Sequence, residues 1–288
     1  MNILTFDIEE WFLESRGANR ASQYSKLDFT LKKLLDDLDE SDIKATFFCV
    51  GQLAKLFPDV VRIIANHGHE VGCHSNVHTW LDKMDEHTLR SDTLDALKAL
   101  EDVLGEKVIS YRAPAFSVTE SNKWAVNVLA DCGIENDASF FPTTRDFGGF
   151  PSFPKDVPCI ISYQGSSLKE YPVGLASFFR KQIAYSGGGY FRLLPYWFVR
   201  SSMEQRDYNI CYFHLADLMK EEQKMLSKEK YEAYFKEPGT LKNRSLRYIK
   251  SNIGIGDTYN KLKRLMHDFE FINIRQADKL IDWDYINL

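Results

Sequence analysis

Asn2-Ile3-Leu4-Thr5-Phe6-Asp7-Ile8-Glu9-Glu10 is the stretch on which the fold turns. An apolar, β-prone run passes without a turn residue into three carboxylates. That is the pattern of a buried strand delivering acids at its C-terminal end. The pattern recurs along the chain. Lys44–Cys49 reads as a second strand, rich in Thr and Phe, and Glu70–Gly72 as a short third one running into His74. Val108–Ser110 leads to Arg112, and Asn209–His214 is a late buried strand. Helix-period segments lie between them. Ser25–Asp39 carries Leu27, Leu31, Leu34, Leu35 and Leu38 at helical spacing. Gln52–His67, Asp85–Leu104 and Glu120–Cys132 each run up to a glycine, Gly68, Gly105 or Gly133, as a stop. Strands alternating with helices over short connections predict parallel strands with crossover helices. Active residues of α/β barrels sit at the C-terminal ends of strands. Asp7, His74, Arg112, Asp137 and His214 each follow a predicted strand.

The rhythm changes in the middle. Residues 141–175 are rich in Pro, Gly and Ser, with strand-like pieces at Cys159–Tyr163 and Leu168–Pro172, and read as an inserted hairpin with loops. Tyr190–Arg206 reads as helix, and residues 219–252 as a polar, solvated helical excursion beside the site. Thr258–Phe269 follows as a helix, Glu270–Ile274 as a late strand and Ala277–Ile281 as a last short helix. With no internal repeat, residues 1–288 are expected to form one catalytic domain, a size one α/β barrel reaches.

The hydrophobic share is 44%, with 14% aromatics, enough for a sizeable core, and 27% charged residues argue against a disordered chain. The net charge is −5, and no basic stripe points to nucleic acid or an anionic membrane. No apolar run approaches the roughly 18 residues of a membrane span. Met1-Asn2 leads directly into the first strand without the features of a secretion signal, so a cytoplasmic protein is expected. The five cysteines, Cys49, Cys73, Cys132, Cys159 and Cys211, are odd in number and scattered, which reads as reduced core thiols. Strand alternation turns Cys73 away from the side chain of His74.

His74-Ser75-Asn76-Val77-His78 brings two imidazoles four residues apart, a spacing that can grip one metal ion. Alone the spacing is weak, because seven His in 288 residues fall that way by chance. Here it has the acidic strand end, Arg112 before Pro114, and His214 as company. Two His and a carboxylate leave one position open on a catalytic metal. In an extended strand Asp7 and Glu9 face one side and Glu10 the other. That pairs Asp7 with Glu9 as the base and third ligand between them, with Glu10 the alternative ligand if the chain turns directly after Asp7. His67, His69, His87 and His267 receive no role.

The chain resembles the polysaccharide deacetylases with a NodB homology domain (carbohydrate esterase family 4). The residues that carry this are the acidic strand end at Asp7, the pair His74/His78, Arg112 with Pro114, and His214 after Phe213. It is similar above all to the exopolysaccharide- and exosortase-associated branch. That likeness rests on Asp7 to Phe12, Ala45 to Gly51, Asp137 to Pro142, and Gly187-Gly188-Gly189-Tyr190-Phe191-Arg192-Leu193-Leu194-Pro195. The resemblance implies an α/β fold, an incomplete, distorted (β/α) barrel of about seven strands. It implies that Arg112 pairs with the base, that His214 is the general acid, and that Asp137 orients His214 or the substrate. The commoner family sequence has two adjacent aspartates, base first and ligand second, where this chain reads Asp7-Ile8-Glu9-Glu10, and the resemblance thus implies Asp7 as the base and Glu9 as the ligand. Trp11, Trp80, Phe116, Gly189 and Tyr190 are candidate sugar contacts, the aromatics by position and Gly189 by its place in the glycine run.

The reading is therefore a metal-dependent hydrolase that removes an N-acetyl group from a hexosamine of a polysaccharide or glycan precursor and releases acetate. Its cofactor is a divalent ion, zinc first, with iron, cobalt or nickel also suited to two His and a carboxylate. Its partner is an N-acetylated glycan, not nucleic acid. The rivals are a small-molecule amide hydrolase of the same fold and a carbohydrate-binding protein with a decayed site.

Overall fold

The computed structural model describes residues 1–15, 21–145, 148–178, 181–219, 224–235, 237–254 and 256–288. Chain order gives β1 (Asn2–Ile8), β2 (Thr46–Cys49), β3 (Glu70–Cys73), β4 (Ser110–Tyr111), β5 (Asn136–Asp137) and β6 (Cys159–Tyr163). β7 (Ser166–Glu170), β8 (Leu175–Phe178), β9 (Lys181–Ala184), β10 (Asn209–His214) and β11 (Tyr285–Asn287) follow. Nine of them form one sheet in the order β10-β1-β2-β3-β4-β5-β7-β6-β11, and β8 and β9 form a separate hairpin.

Every neighbour in the large sheet runs parallel except β6 and β7, which are the expected hairpin. Parallel pairing puts the C-terminal ends of the strands along one edge. The register makes a row of it: Ile8 lies beside Cys49, Cys49 beside Cys73, Cys73 beside Tyr111, and Tyr111 beside Asp137. On the other side of β1, Asp7 lies beside His214. The helices Ala21–Glu40, Gly51–Leu56, Pro58–Asn66, Glu86–Leu104 and Ala125–Asp131 are crossovers that bury their apolar faces in one continuous core. Among the described residues the sheet stays open, with nine strands against the seven or so expected, and no barrel closes.

Several boundaries differ from the sequence reading, each for a local reason. Gln52–His67 is two helices, because Pro58 cannot donate a backbone hydrogen bond and starts a new one. Tyr190–Arg206 likewise breaks into Gly188–Leu193 and Tyr196–Glu204 around Pro195. Glu120–Cys132 opens as a tight turn at Glu120–Asn122 and becomes α-helical only from Ala125. Glu270–Ile274 is not a strand but a single bridge from Ile272 to Ile3, because the helix Ile274–Ala277 starts at once. Buried Glu70 holds that start: its Oε2 accepts from the backbone N–H of Arg275 (2.9 Å), and its two oxygens accept from Thr46 and Ser110. Of the 219–252 excursion, residues 220–223 and 236 lie outside the described residues, and the rest holds the helices Lys228–Phe235 and Leu241–Asn252. Among the described residues no helix is long and apolar enough to cross a membrane.

Candidate functional site

β1 ends at Ile8, so Asp7 leaves the sheet edge beside His214 while Glu9 and Glu10 stand beyond it. Asp7 is 2% exposed, and Arg112 Nη1 donates to its Oδ1 at 2.9 Å. The same Nη1 is 2.8 Å from Thr5 Oγ1, and Arg112 Nε donates to the carbonyl of Ala138 at 3.1 Å. The guanidinium lies over the ring of Phe48, 4.3 Å from its centre. Burial alone would raise the pKa of Asp7. The charge and hydrogen bond of Arg112, with the charge of His214, outweigh it and hold the carboxyl below its usual range.

Glu9, His74 and His78 come together, and one ligand atom from each lies within 4.8 Å of the others. His74 Nδ1 is 2.8 Å from the carbonyl of Arg112. A carbonyl only accepts, so Nδ1 carries the proton, and in the neutral ring Nε2 presents a lone pair. That lone pair faces Glu9 Oε2 at 3.7 Å, and Oε2 also abuts His78 Nε2. Glu9 Oε2 is buried between the two rings. Two imidazole nitrogens and a carboxylate oxygen converging on one buried point fit a cation, and that donor set suits a divalent transition metal. Burial would raise the pKa of Glu9, but His78, His74 and His214 keep it well below the usual range.

The His-pair loop is held from two sides. Gly51 and Gln52, at the start of a helix, donate backbone N–H groups to the carbonyls of Ser75 (3.0 Å) and Asn76 (2.9 Å). Asp92, buried in the helix Glu86–Leu104, accepts from the N–H of Asn76 at 2.8 Å. Ser75 and His78 take left-handed backbone angles, φ 64° and 56°, which such bracing sustains. A Cβ on Gly51 would lie 2.6 Å from Ala96 Cα and 2.8 Å from Asn76 Oδ1, so only glycine lets the helix start this close to the loop. Asp92 was invisible in sequence, one acid among many on a polar helix. Its signal is burial.

Glu10 begins the short helix Glu10–Ser15 and points elsewhere. Its Oε1 accepts from Ala216 N at 2.7 Å and its Oε2 from Glu9 N at 3.3 Å. Burial, then the charge of Glu9, raises its pKa to about 7.

His214 caps the helix Leu215–Leu218 and is the most open of the group, with its side chain 36% exposed. Its Nε2 lies 3.9 Å from Asp7 Oδ2 and 3.8 Å from Glu9 Oε1. Burial disfavours the imidazolium, but Asp217, Glu9 and Asp7 together raise its pKa well above the usual value. Its Nδ1 partner is Asp217 Oδ2 at 3.3 Å. Asp137, expected to orient His214 or the substrate, is not the group at Nδ1. Asp137 sits at the end of β5 with Ser139, whose hydroxyl donates to it, and with buried Glu170. Burial raises its pKa to about 6. Ser139 also accepts from Ala113 N at 2.7 Å, so this cluster braces the backbone beside Arg112.

The expected sugar platforms fare worse. Trp11 is 1% exposed and its indole N–H donates to Asp28 at 3.0 Å, so it presents no ring face. Phe116 is buried edge-on against Phe141 and Tyr212, and Trp80 is buried as well. Gly189 and Tyr190 stay half-exposed. The glycine run has a packing reason: a Cβ on Gly187 would lie 2.3 Å from the carbonyl oxygen of Tyr212, the residue it bridges on β10.

The polysaccharide deacetylase family model matches residues 3–136, and that of a domain of unknown function, DUF3473, matches residues 138–279. A peptidoglycan-N-acetylglucosamine deacetylase of Bacillus cereus is 37% identical over 100 residues, which are 34% of this chain and 36% of that protein. A chitooligosaccharide deacetylase of Sinorhizobium fredii is 32% identical over 83 residues, 28% of this chain and 39% of that protein. The chain thus spans well under half the length of these curated relatives. A crystal structure from Mycobacterium smegmatis, provisionally described as a polysaccharide deacetylase, has a TM-score of 0.63 and 19% identity. It covers 97% of this chain and 89% of its own, and the likeness is one of fold. Over residues 3–136, the chain is thus similar to the polysaccharide deacetylase family.

Proposed function

We propose that this chain is a metal-dependent hydrolase that removes the N-acetyl group from a hexosamine of a glycan. The observation that carries the reading is convergence: His214 Nε2 lies within 4 Å of Asp7, which Arg112 holds, and of Glu9, which faces the His pair. His74, His78 and Glu9 would hold the ion, with zinc the first candidate. When bound, such an ion polarises the amide carbonyl and acidifies a water.

Asp7 takes the proton from the attacking water. Its Oδ1 is fixed on Arg112, which leaves Oδ2 toward the open side where His214 stands. The water oxygen bonds to the acetyl carbon, the C–N bond breaks, and His214 Nε2 delivers a proton to the leaving nitrogen. Asp217 on Nδ1 orients the ring for that transfer. Acetate and a free amine result.

We read the chain as one catalytic unit, because His214 comes from the second half and Asp7, His74 and Arg112 from the first. The five cysteines are unpaired and four are buried, which supports a reducing compartment, with the cytoplasm as the expected one. The test is acetate release from N-acetylglucosamine oligomers by zinc- or cobalt-loaded protein, beside Asp7→Asn. Release that the variant loses supports the reading. Hydrolysis of small amides with no release from any N-acetylated glycan would favour the second enzyme class.

A further inference from the structure

The helix Leu241–Asn252 has no buried residue. Its exposed side chains are Leu241, Lys242, Leu246, Ile249 and Lys250, and Ile253 extends the row. At helical spacing Lys242, Leu246, Ile249, Lys250 and Ile253 fall within an arc of about 100°. Leu246, Ile249 and Ile253 are 49%, 49% and 47% exposed, so an apolar strip runs along this arc with Lys242 within it and Lys250 at its edge. The helix has four basic residues, Lys242, Arg244, Arg247 and Lys250, and no acid, in a chain of net charge −5. Beside it Met225 and Leu226 are also exposed, flanked by exposed Lys224 and Lys228, and Arg244 Nη1 donates to the carbonyl of Leu226 at 3.2 Å.

This helix is wired to the site. Arg192 Nη1 donates to the carbonyl of Ser251, and Arg192 Nε lies 3.7 Å from Asp217, the partner of His214. Two side chains therefore separate the helix end from the proposed acid.

We propose that the exposed face of Leu241–Asn252 docks on an anionic lipid surface, lying in the headgroup plane and keeping the catalytic end of the sheet near the bilayer. Apolar side chains interleaved with lysines match acyl chains beneath anionic headgroups. A second copy of this chain would set lysine against lysine across the same face. The sequence expectation of no membrane-seeking stripe is revised, because the basic residues are interleaved with apolar ones and sort onto a face only in the helix. Combined with the proposed function, docking selects a glycan still attached to a membrane lipid as substrate. That extension rests on the deacetylase reading, and the docking itself does not.

The experiment is co-sedimentation of the full chain with vesicles of phosphatidylcholine alone or with about a third phosphatidylglycerol, a fraction chosen to give a strongly anionic surface. Binding is expected only to the anionic vesicles and should fall as salt rises. Leu246→Asn with Ile249→Asn should weaken it at least about ten-fold, and Lys242→Gln and Lys250→Gln about five-fold each. An unchanged melting temperature in these surface variants shows that the fold is kept. Equal binding to neutral vesicles, no binding at all, or variants that bind like the parent would overturn the proposal. So would a dimer that the same substitutions dissociate, which would assign the face to a second copy. Vesicle binding by a protein that releases no acetate would leave docking intact and sink only the enzymatic reading.

Discussion

The imidazole of His74 donates its Nδ1 proton to the carbonyl oxygen of Arg112 at 2.8 Å. One hydrogen bond thereby sets both halves of the site. It turns the Nε2 lone pair of His74 toward Glu9, and it fixes the backbone of the residue whose guanidinium holds Asp7. Ligand geometry and base geometry are coupled through a single strand end.

Asp7 and Arg112 should be coupled in stability and distinct in chemistry. Asp7→Asn removes the base and leaves buried Arg112 without its counter-charge, so turnover per folded molecule should fall by about 10²–10⁴-fold and the melting temperature should fall as well. Arg112→Met leaves a buried carboxylate without its partner and should cost about 3–5 kcal/mol of stability in denaturant titration. An Asp7→Asn protein with near-parental turnover would remove Asp7 from the role of base.

The two glutamates should differ in metal binding. Glu9→Gln should weaken the binding of cobalt or zinc by at least about ten-fold in calorimetry, the scale seen when even an outer partner of a ligand is lost. Glu10→Gln should leave it nearly unchanged, because Glu10 is occupied by Ala216 N and Glu9 N. The reverse order would make Glu10 the ligand.

Asp217 should act through His214. Asp217→Ala removes the partner of Nδ1 and frees the ring, so kcat should drop by about 10²-fold, the scale of a misplaced catalytic group, while KM stays near its parental value. A change confined to KM would place Asp217 in substrate binding instead.

His69 should make the fold acid-sensitive. It is 6% exposed, accepts from Ala45 N at 3.3 Å, and burial followed by the charge of Lys44 lowers its pKa from 6.5 to about 4. Between those values the unfolded chain binds a proton that the folded chain refuses. The contribution is thus full above pH 6.5 and is lost as pH falls toward about 4, by up to about 1.4 kcal/mol per pH unit. His69→Gln can still accept from Ala45 N, and its unfolding midpoint should lose less between pH 7 and pH 4.5. Parallel pH profiles for the two proteins would reject this source.

Most of the sheet was legible because apolar runs and strand-end chemistry are local. Lys44–Cys49, Cys159–Tyr163 and Asn209–His214 came through within two residues. The hairpin of β8 and β9 and the edge strand β11 were missed because their exposed, mixed residues carry no strong apolar period. In the site, strand alternation separated Glu9 from Glu10. Asp217 and Asp92 could not be found, since each gains meaning from a neighbour brought close only by folding. Trp11 and Phe116 were misjudged for a related reason: whether an aromatic side chain lines a groove or fills a core is set by packing, not by position after a motif.

The most direct measurement is the metal content of the protein, purified without added metal and then soaked in zinc or cobalt, beside a His74→Ala, His78→Ala double variant. About one tightly held ion per chain, absent from the variant, is the predicted result, as a single three-ligand site requires. No ion in either protein after soaking would contradict the account and return the chain to the carbohydrate-binding alternative.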